Sequence, residues 1–138
     1  MSVLMCPVCR QALNLVANSW QCEKGHHYDV AKQGYVNLHV VQHKHSKTPG
    51  DTPESVLARR EFLQAGFYQP LQQVMVELLQ QLKPKAVLDI GCGEGYYTHA
   101  MQPWTKHCVG VDIAKTAVQR AAKLNSRVVW VVGTGAIL

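Results

Sequence analysis

The spacing of apolar and polar positions changes along the chain. Between residues 1 and 38 the apolar residues fall in short, β-like pieces. Residues 39–54 (HVVQHKHSKTPGDTPE) hold three histidines, two lysines and two prolines with few large apolar groups, which predicts an exposed connecting loop. A helical period begins at Ser55. Ser55 or Thr52 caps a helix through Val56, Leu57, Arg59, Arg60, Phe62 and Leu63, and Gly66 stops it. A second helix starts near Pro70, a residue favoured at the first helical position, and ends before Pro84. It puts Leu71, Val74, Leu78 and Leu82 on one face. Short apolar strands then follow at Ala86–Ile90, Cys108–Val111 and Val128–Val132, separated by helices near Tyr96–Met101 and Ala114–Lys123.

Strand, helix, strand, helix, strand is the start of a parallel sheet, so the expected fold class is α/β. The expected organisation is a small module at 1–38, a connecting loop at 39–54, and a partial doubly wound domain at 55–138 with two leading helices. A doubly wound sheet normally has about six strands. Here the first half is encoded, the first strand keeps an unpaired edge, and Leu138 comes soon after the third strand. The chain therefore reads as the front part of a longer enzyme.

Composition narrows the class. With 47% hydrophobic and 17% charged residues the chain is globular rather than disordered. No apolar run approaches the roughly 20 residues of a membrane span, and Met1–Cys6 lacks the basic start of a secretory signal. The expected location is cytoplasmic, with no membrane partner. The net charge of +5 permits a nucleic-acid partner without requiring one.

Five cysteines in such a chain argue for metal binding or buried thiols rather than a disulfide framework. Cys6, Cys9, Cys22 and His26 follow C-x2-C-x12-C-x3-H, the ligand inventory of a closed tetrahedral zinc site. Three thiolates and Zn²⁺ leave a net charge of −1, softened by Lys24 and Arg10. The Ala12–Gln21 segment between the pairs suits a hairpin. His27 is the alternative fourth ligand, and a redox Cys-x-x-Cys is the alternative chemistry, although the motif stands outside any βαβ pattern. A zinc-dependent hydrolase is excluded, because four protein ligands leave no position for water. A module under 40 residues also needs the metal to fold.

Asp89-Ile90-Gly91-Cys92-Gly93-Glu94-Gly95 follows a strand and opens a helix. The glycines allow a sharp turn and close backbone approach to a ligand. The spacing differs from the dinucleotide G-x-G-x-x-G, and no Gly-x-x-x-x-Gly-Lys phosphate loop is present. Asp112 ends the next strand, where a carboxylate accepts hydrogen bonds from a ribose diol. Acids beside the loop disfavour a pyrophosphate and suit a cationic ligand carrying an ammonium and a sulfonium, which is S-adenosylmethionine. The alternative is a glycine loop used only for packing.

Asp89–Gly95 with Asp112 resembles the cofactor-binding start of class I methyltransferases. More narrowly, the chain resembles the N-terminal half of the bacterial 23S ribosomal RNA guanine-N1-methyltransferases. The matching runs include Cys6-Pro7-x-Cys9, Cys22 through His26, Lys32–Leu38, Gln42-His43-Lys44, Pro49-Gly50-Asp51, Ala58-Arg59-Arg60, Phe62–Tyr68 and Leu88–Thr98. The resemblance implies a zinc ribbon that helps grip an rRNA hairpin, followed by the first half of a Rossmann-like domain that binds S-adenosylmethionine. It implies structural Zn²⁺ on Cys6, Cys9, Cys22 and His26, and cofactor contacts from Tyr68, Gly93 and Glu94. Gly91 and Asp112 join these by general class I logic, with Asp89 and Gly95 completing the loop. The implied reaction is methyl transfer to N1 of a guanine in 23S rRNA, and a homodimer is compatible with it. The competing reading is a truncated, inactive zinc-containing RNA-binding remnant.

No residue carries a signal for the base that takes the guanine N1 proton. Lys32, Lys44, Lys47, Arg59 and Arg60, with Tyr28, Tyr35, His39, His43 and His45, are the expected RNA contacts, against the ordinary reading of solvated charge. Tyr96 and Tyr97 read as packing residues before substrate platforms. Trp20 is placed near the zinc site, Trp104 and Trp130 in the core or an interface, and Cys92 and Cys108 read as small buried hydrophobes.

Overall fold

The structure, a computed structural model, describes residues 4–39 and 52–134. Residues 40–51, with His43, Lys44, His45, Lys47 and the Pro49-Gly50-Asp51 run, lie outside the described residues, as do 1–3 and 135–138.

Strands β1 (Asn14–Val16), β2 (Ser19–Gln21) and β3 (His27–Asp29) form an antiparallel meander. Val16 pairs with Ser19 across a two-residue turn, which is the hairpin expected between the cysteine pairs. Strand β4 (Tyr35–Asn37) leaves this meander and joins the second sheet. Helix α1 (Pro53–Gln64) follows, with Thr52 rather than Ser55 as its cap: the Thr52 hydroxyl accepts from the Ser55 N–H at 3.2 Å, and Pro53 takes the first turn. Helix α2 spans Gln69–Leu82. The rest runs β5 (Ala86–Ile90), α3 (Tyr96–Met101), a 3-10 turn at Gln102–Trp104, β6 (His107–Asp112), α4 (Lys115–Leu124) and β7 (Val129–Val132).

The four-stranded sheet is parallel throughout, in the order β4-β7-β6-β5. Among the described residues strand β5 lies at the edge, the unpaired edge expected from the sequence, and its Leu88 and Ile90 are exposed. The outer strand β4 was not anticipated. Residues 35–37 read as part of the ribbon, yet they pair with Trp130, Val131 and Val132 of β7. The Leu38 N–H continues the ladder to the Val132 carbonyl at 2.8 Å. A three-residue strand carries too little sequence signal to declare its partner.

Because side chains alternate along a strand, the sheet presents two apolar faces. Val36, Val109, Val111 and Val131 point to one side, where they pack with Leu4, Cys6, Leu13 and Cys22 of the ribbon. Tyr35, Cys108, Trp130 and Val132 point to the other, against Val118, Ala121 and Ala122 of α4. A parallel sheet needs cover on both faces. Here the ribbon supplies one cover and α4 the other, so the ribbon has no core separate from the sheet.

Helix α2 forms within the expected limits. Its apolar face of Leu71, Val74, Leu78 and Leu82 is exposed, and Leu79 is its buried residue. The helix is rotated so that Gln72, beside the Leu79 side, donates from Nε2 to the Tyr96 carbonyl at 2.7 Å. No described helix is long and apolar enough to cross a membrane.

Candidate metal centre and cofactor cavity

The first cysteine pair sits on a tight turn. The Arg10 N–H bonds the Cys6 carbonyl at 2.9 Å, with Arg10 at a φ of 63°, and the Cys6 N–H bonds Gln11 O at 2.8 Å. The second pair is folded by Cys22 N–H to His26 O (3.0 Å) and Gly25 N–H to Cys22 O (3.1 Å). The two turns aim four donor atoms at one point, all within 4.8 Å of one another. Cys9 Sγ is 3.7 Å from Cys22 Sγ, and His26 Nδ1 is 3.4 Å from Cys22 Sγ and 3.6 Å from Cys6 Sγ. Ligands at about 2.3 Å (sulfur) and 2.0 Å (nitrogen) around tetrahedral zinc stand roughly 3.5–3.8 Å apart. The donor set and its spacing therefore fit Zn²⁺. His27 lies exposed in β3, outside this group, so His26 is the histidine brought to the centre.

The electrostatics suit a thiolate. Burial pushes the Cys6 thiol up, but the Tyr28 hydroxyl at 3.5 Å and the backbone N–H groups near Cys9 and Val8 outweigh it, bringing Cys6 down to about 6. Trp20 and Tyr28 pack against the core cluster that contains Cys6 and Cys22.

The second feature is a cavity of about 380 Å³ above the C-terminal ends of β5 and β6. Its floor is the glycine loop. Gly91 and Gly93 have φ of +78° and +58°, and an added Cβ at either would meet nothing within 4 Å. The main chain is thus bare toward the cavity, in a conformation that L side chains rarely adopt. The Val111 carbonyl fixes the loop, accepting from Gly91 N–H at 2.7 Å and Cys92 N–H at 3.0 Å.

Two acids border this floor. Asp112 accepts from Gly93 N–H at 2.9 Å through one oxygen and from Ala114 N–H at 2.8 Å through the other. A carboxylate has about four acceptor sites, so each oxygen retains one for a ligand. Asp89 accepts from the buried Thr98 hydroxyl at 2.7 Å. Burial holds the Asp89 carboxyl above its usual value, the Thr98 bond opposes this, and nearby Asp112 adds to it. The sequence reading missed Thr98, because only the fold brings the first turn of α3 back to the end of β5.

Glu94 also lines the cavity, held on both oxygens by Arg60: Nε to Oε1 at 2.7 Å and Nη2 to Oε2 at 2.8 Å. Arg120 Nε approaches Oε2 at 3.5 Å. Arg59, Leu63, Tyr96, Tyr97 and His99 complete much of the wall. Tyr96 and Tyr97 meet edge to face at 4.9 Å, so they pack on each other while facing the cavity.

Two residues of the expected site do not line the cavity. Tyr68 stands at the start of α2, where the turn after Gly66 carries it edge-on against Phe62 at 5.5 Å. Gly95 faces the core, where an added Cβ would lie 2.8 Å from Trp130 Cη2 and 2.7 Å from His99 Nε2. Cys92 and Cys108 are buried as expected, and burial raises both thiols, Cys108 to about 11. Trp130 is buried and donates to the Asn125 carbonyl at 2.7 Å, whereas Trp104 is half-exposed.

Comparison with known proteins agrees with both features. Residues 4–47 match the zinc-ribbon family described as RlmA, N-terminal, and residues 87–136 match a methyltransferase domain. A Streptomyces fradiae protein named 23S rRNA (guanine(748)-N(1))-methyltransferase is 35% identical over 130 residues, covering 90% of this chain and 45% of its own length. A Micromonospora griseorubida protein provisionally named 23S rRNA (guanine-N(1)-)-methyltransferase is 33% identical over 146 residues, 90% of this chain and 48% of its own. YxjB of Bacillus subtilis (strain 168), with the same provisional name, is 29% identical over 142 residues, 95% of this chain and 49% of its own. The chain spans about half the length of the curated relatives it matches. A methyltransferase domain implies S-adenosylmethionine as cofactor, and the ribbon with its four donors implies structural zinc.

Proposed function

We propose that this chain, a zinc ribbon of the RlmA N-terminal type joined to the opening strands of a methyltransferase domain, forms the metal- and cofactor-binding part of an enzyme that methylates N1 of a guanine in 23S rRNA. The observation that carries the cofactor half of this reading is the glycine loop: bare backbone at Gly91 and Gly93, set between Asp89 and Asp112, over a cavity of about 380 Å³. Its rRNA half rests on the names of the relatives.

S-adenosylmethionine supplies a methyl group on a sulfonium, an electrophile that a ring nitrogen displaces in line. The residues of this chain then have positioning to do. Asp112, at the end of β6, is assigned the ribose diol. Gly91 and Gly93 let the main chain approach the ligand closely, and the carboxylate of Asp89 offsets its positive charge. Glu94 and Gly95 hold the loop in shape, and Tyr68, which does not line the cavity, is assigned to the cofactor on the resemblance alone. Guanine N1 must lose a proton on transfer. One oxygen of Asp89 accepts from Thr98 and the two of Asp112 accept from the Gly93 and Ala114 N–H groups, and both acids are assigned to cofactor binding. Cys6, Cys9, Cys22 and His26 hold zinc and shape the ribbon. Lys32, Tyr28 and the exposed Arg59 are assigned to the RNA, whose expected form is a hairpin. A homodimer and a cytoplasmic location belong to the same reading.

The test is an NMR titration of the zinc-loaded chain with S-adenosylhomocysteine. The expected result is shifts of the Gly91, Gly93 and Asp112 amides, with Asp112→Ala weakening binding by roughly 10- to 100-fold, the worth of hydrogen bonds to a charged group. Titration with a 23S rRNA hairpin should shift ribbon amides, and sedimentation reads the oligomeric state. Shifts confined to the RNA titration would favour the remnant reading over the enzyme.

A further inference from the structure

We propose that Arg60 is a positioning residue whose bidentate pair with Glu94 latches helix α1 over the glycine loop as the roof of the cavity.

Three observations converge. No side chain of helix α1 is fully buried, with Val56, Arg60 and Leu63 half-buried, so apolar packing among the described residues does little to fix it. Yet Val56, Arg59, Leu63 and Gln64 of this helix line the cavity, and they do so only while the helix stays in place. The contact that spans the gap is the Arg60–Glu94 pair at 2.7 and 2.8 Å, joining residues 34 positions apart. A forked guanidinium on both carboxylate oxygens is the strongest and most directional form of ion pair.

The anchored end of the latch is rigid. His99 Nε2 lies 3.1 Å from the Glu94 carbonyl, and the loop before it hangs from Val111 O. Because Glu94 is committed to Arg60, it acts on a ligand by holding the roof rather than by direct contact. Arg120, half-exposed and 3.5 Å from Oε2, stands by as a second cation. Removing Arg60 therefore leaves Glu94 with a counter-charge, and the expected consequence is a loosened helix rather than an unfolded chain.

The ligand side of this proposal rests on the cofactor reading above; the helix side does not. Hydrogen exchange on the full zinc-loaded chain tests the helix. Arg60→Ala is expected to speed amide exchange across residues 53–64 by about tenfold, with β6 and β7 unchanged. Arg60→Lys, which keeps the charge but loses the fork, should fall between. High salt should speed exchange in the wild type and have little effect on Arg60→Ala. The S-adenosylhomocysteine dissociation constant should rise by about tenfold in Arg60→Ala and less in Arg60→Lys. Unchanged protection of α1 in Arg60→Ala overturns the latch, as does an equal loss of protection in β6 and β7. If the wild type shows no shifts with S-adenosylhomocysteine, the cofactor reading fails and the exchange of α1 alone decides the latch.

Discussion

His99 shows how one side chain serves both the core and the cavity. Its ring lies against Trp130 at a centroid distance of 5.2 Å, bonds the Glu94 carbonyl, and faces the cavity. Burial holds its pKa below the usual imidazole value, with the Glu94 carbonyl opposing the shift. The unfolded chain therefore takes up a proton near pH 6.5 that the folded chain refuses. Stability from the neutral ring is complete above that pH and is lost as pH falls below it toward the folded value. Urea unfolding between about pH 7 and pH 5 should show a steeper loss for the wild type than for His99→Gln. Equal slopes would contradict this assignment. The other histidines are the same in both proteins, so the comparison isolates His99. Gly95 belongs to the same junction: its φ of +87° and the crowding by Trp130 and His99 explain a glycine there without a ligand.

Among the elements, α2 and β5 carry apolar surface that the described residues leave uncovered. The periodicity placed Leu71, Val74, Leu78 and Leu82 on one face, and they do share a face. The helix nevertheless turns Leu79 inward, because Gln72 bonds the start of α3. Leu79→Ala should cost about 2 kcal/mol, whereas Leu78→Ala should stay within about 0.5 kcal/mol. Denaturation midpoints of the two variants check the rotation, and reversed costs would refute it. The elements themselves were legible: Ala86–Ile90 and Tyr96–Met101 are found at the limits expected. Their periods are set by local chain geometry. The direction a helix faces is set by its neighbours, which periodicity does not name.

At the scale of the molecule, the decisive feature is that ribbon and sheet share one core. Cys6 and Cys22, two of the four donors, belong to the buried cluster that contains Val109, Val111 and Val131. The ribbon read from the sequence as a module that needs zinc to fold. The structure extends that need to the sheet, since an unfolded ribbon would expose one whole face of β4, β7 and β6. Structural zinc contributes about 10–16 kcal/mol of apparent binding energy, as much as the roughly 5–15 kcal/mol of a whole domain's stability. Chelation of zinc should therefore abolish amide protection in β6 and β7 together with that of the ribbon, in one transition. Persisting protection in the sheet after zinc removal would show two independent units.

The sequence by itself determined what depends on residue type and short spacing. Thiolates with two residues between them, an imidazole four residues beyond Cys22, glycines after a strand and an acid at each strand end declare their chemistry locally, because backbone turns and ligand geometry act over a few residues. Tertiary structure alone decided what depends on distant partners. It sent Tyr35–Asn37 to the edge of the parallel sheet, gave Asp89 to Thr98, and paired Glu94 with Arg60. Each of these contacts joins residues that share no local turn or period. Only the closing of the sheet and the packing of α1 and α3 around it bring them within reach.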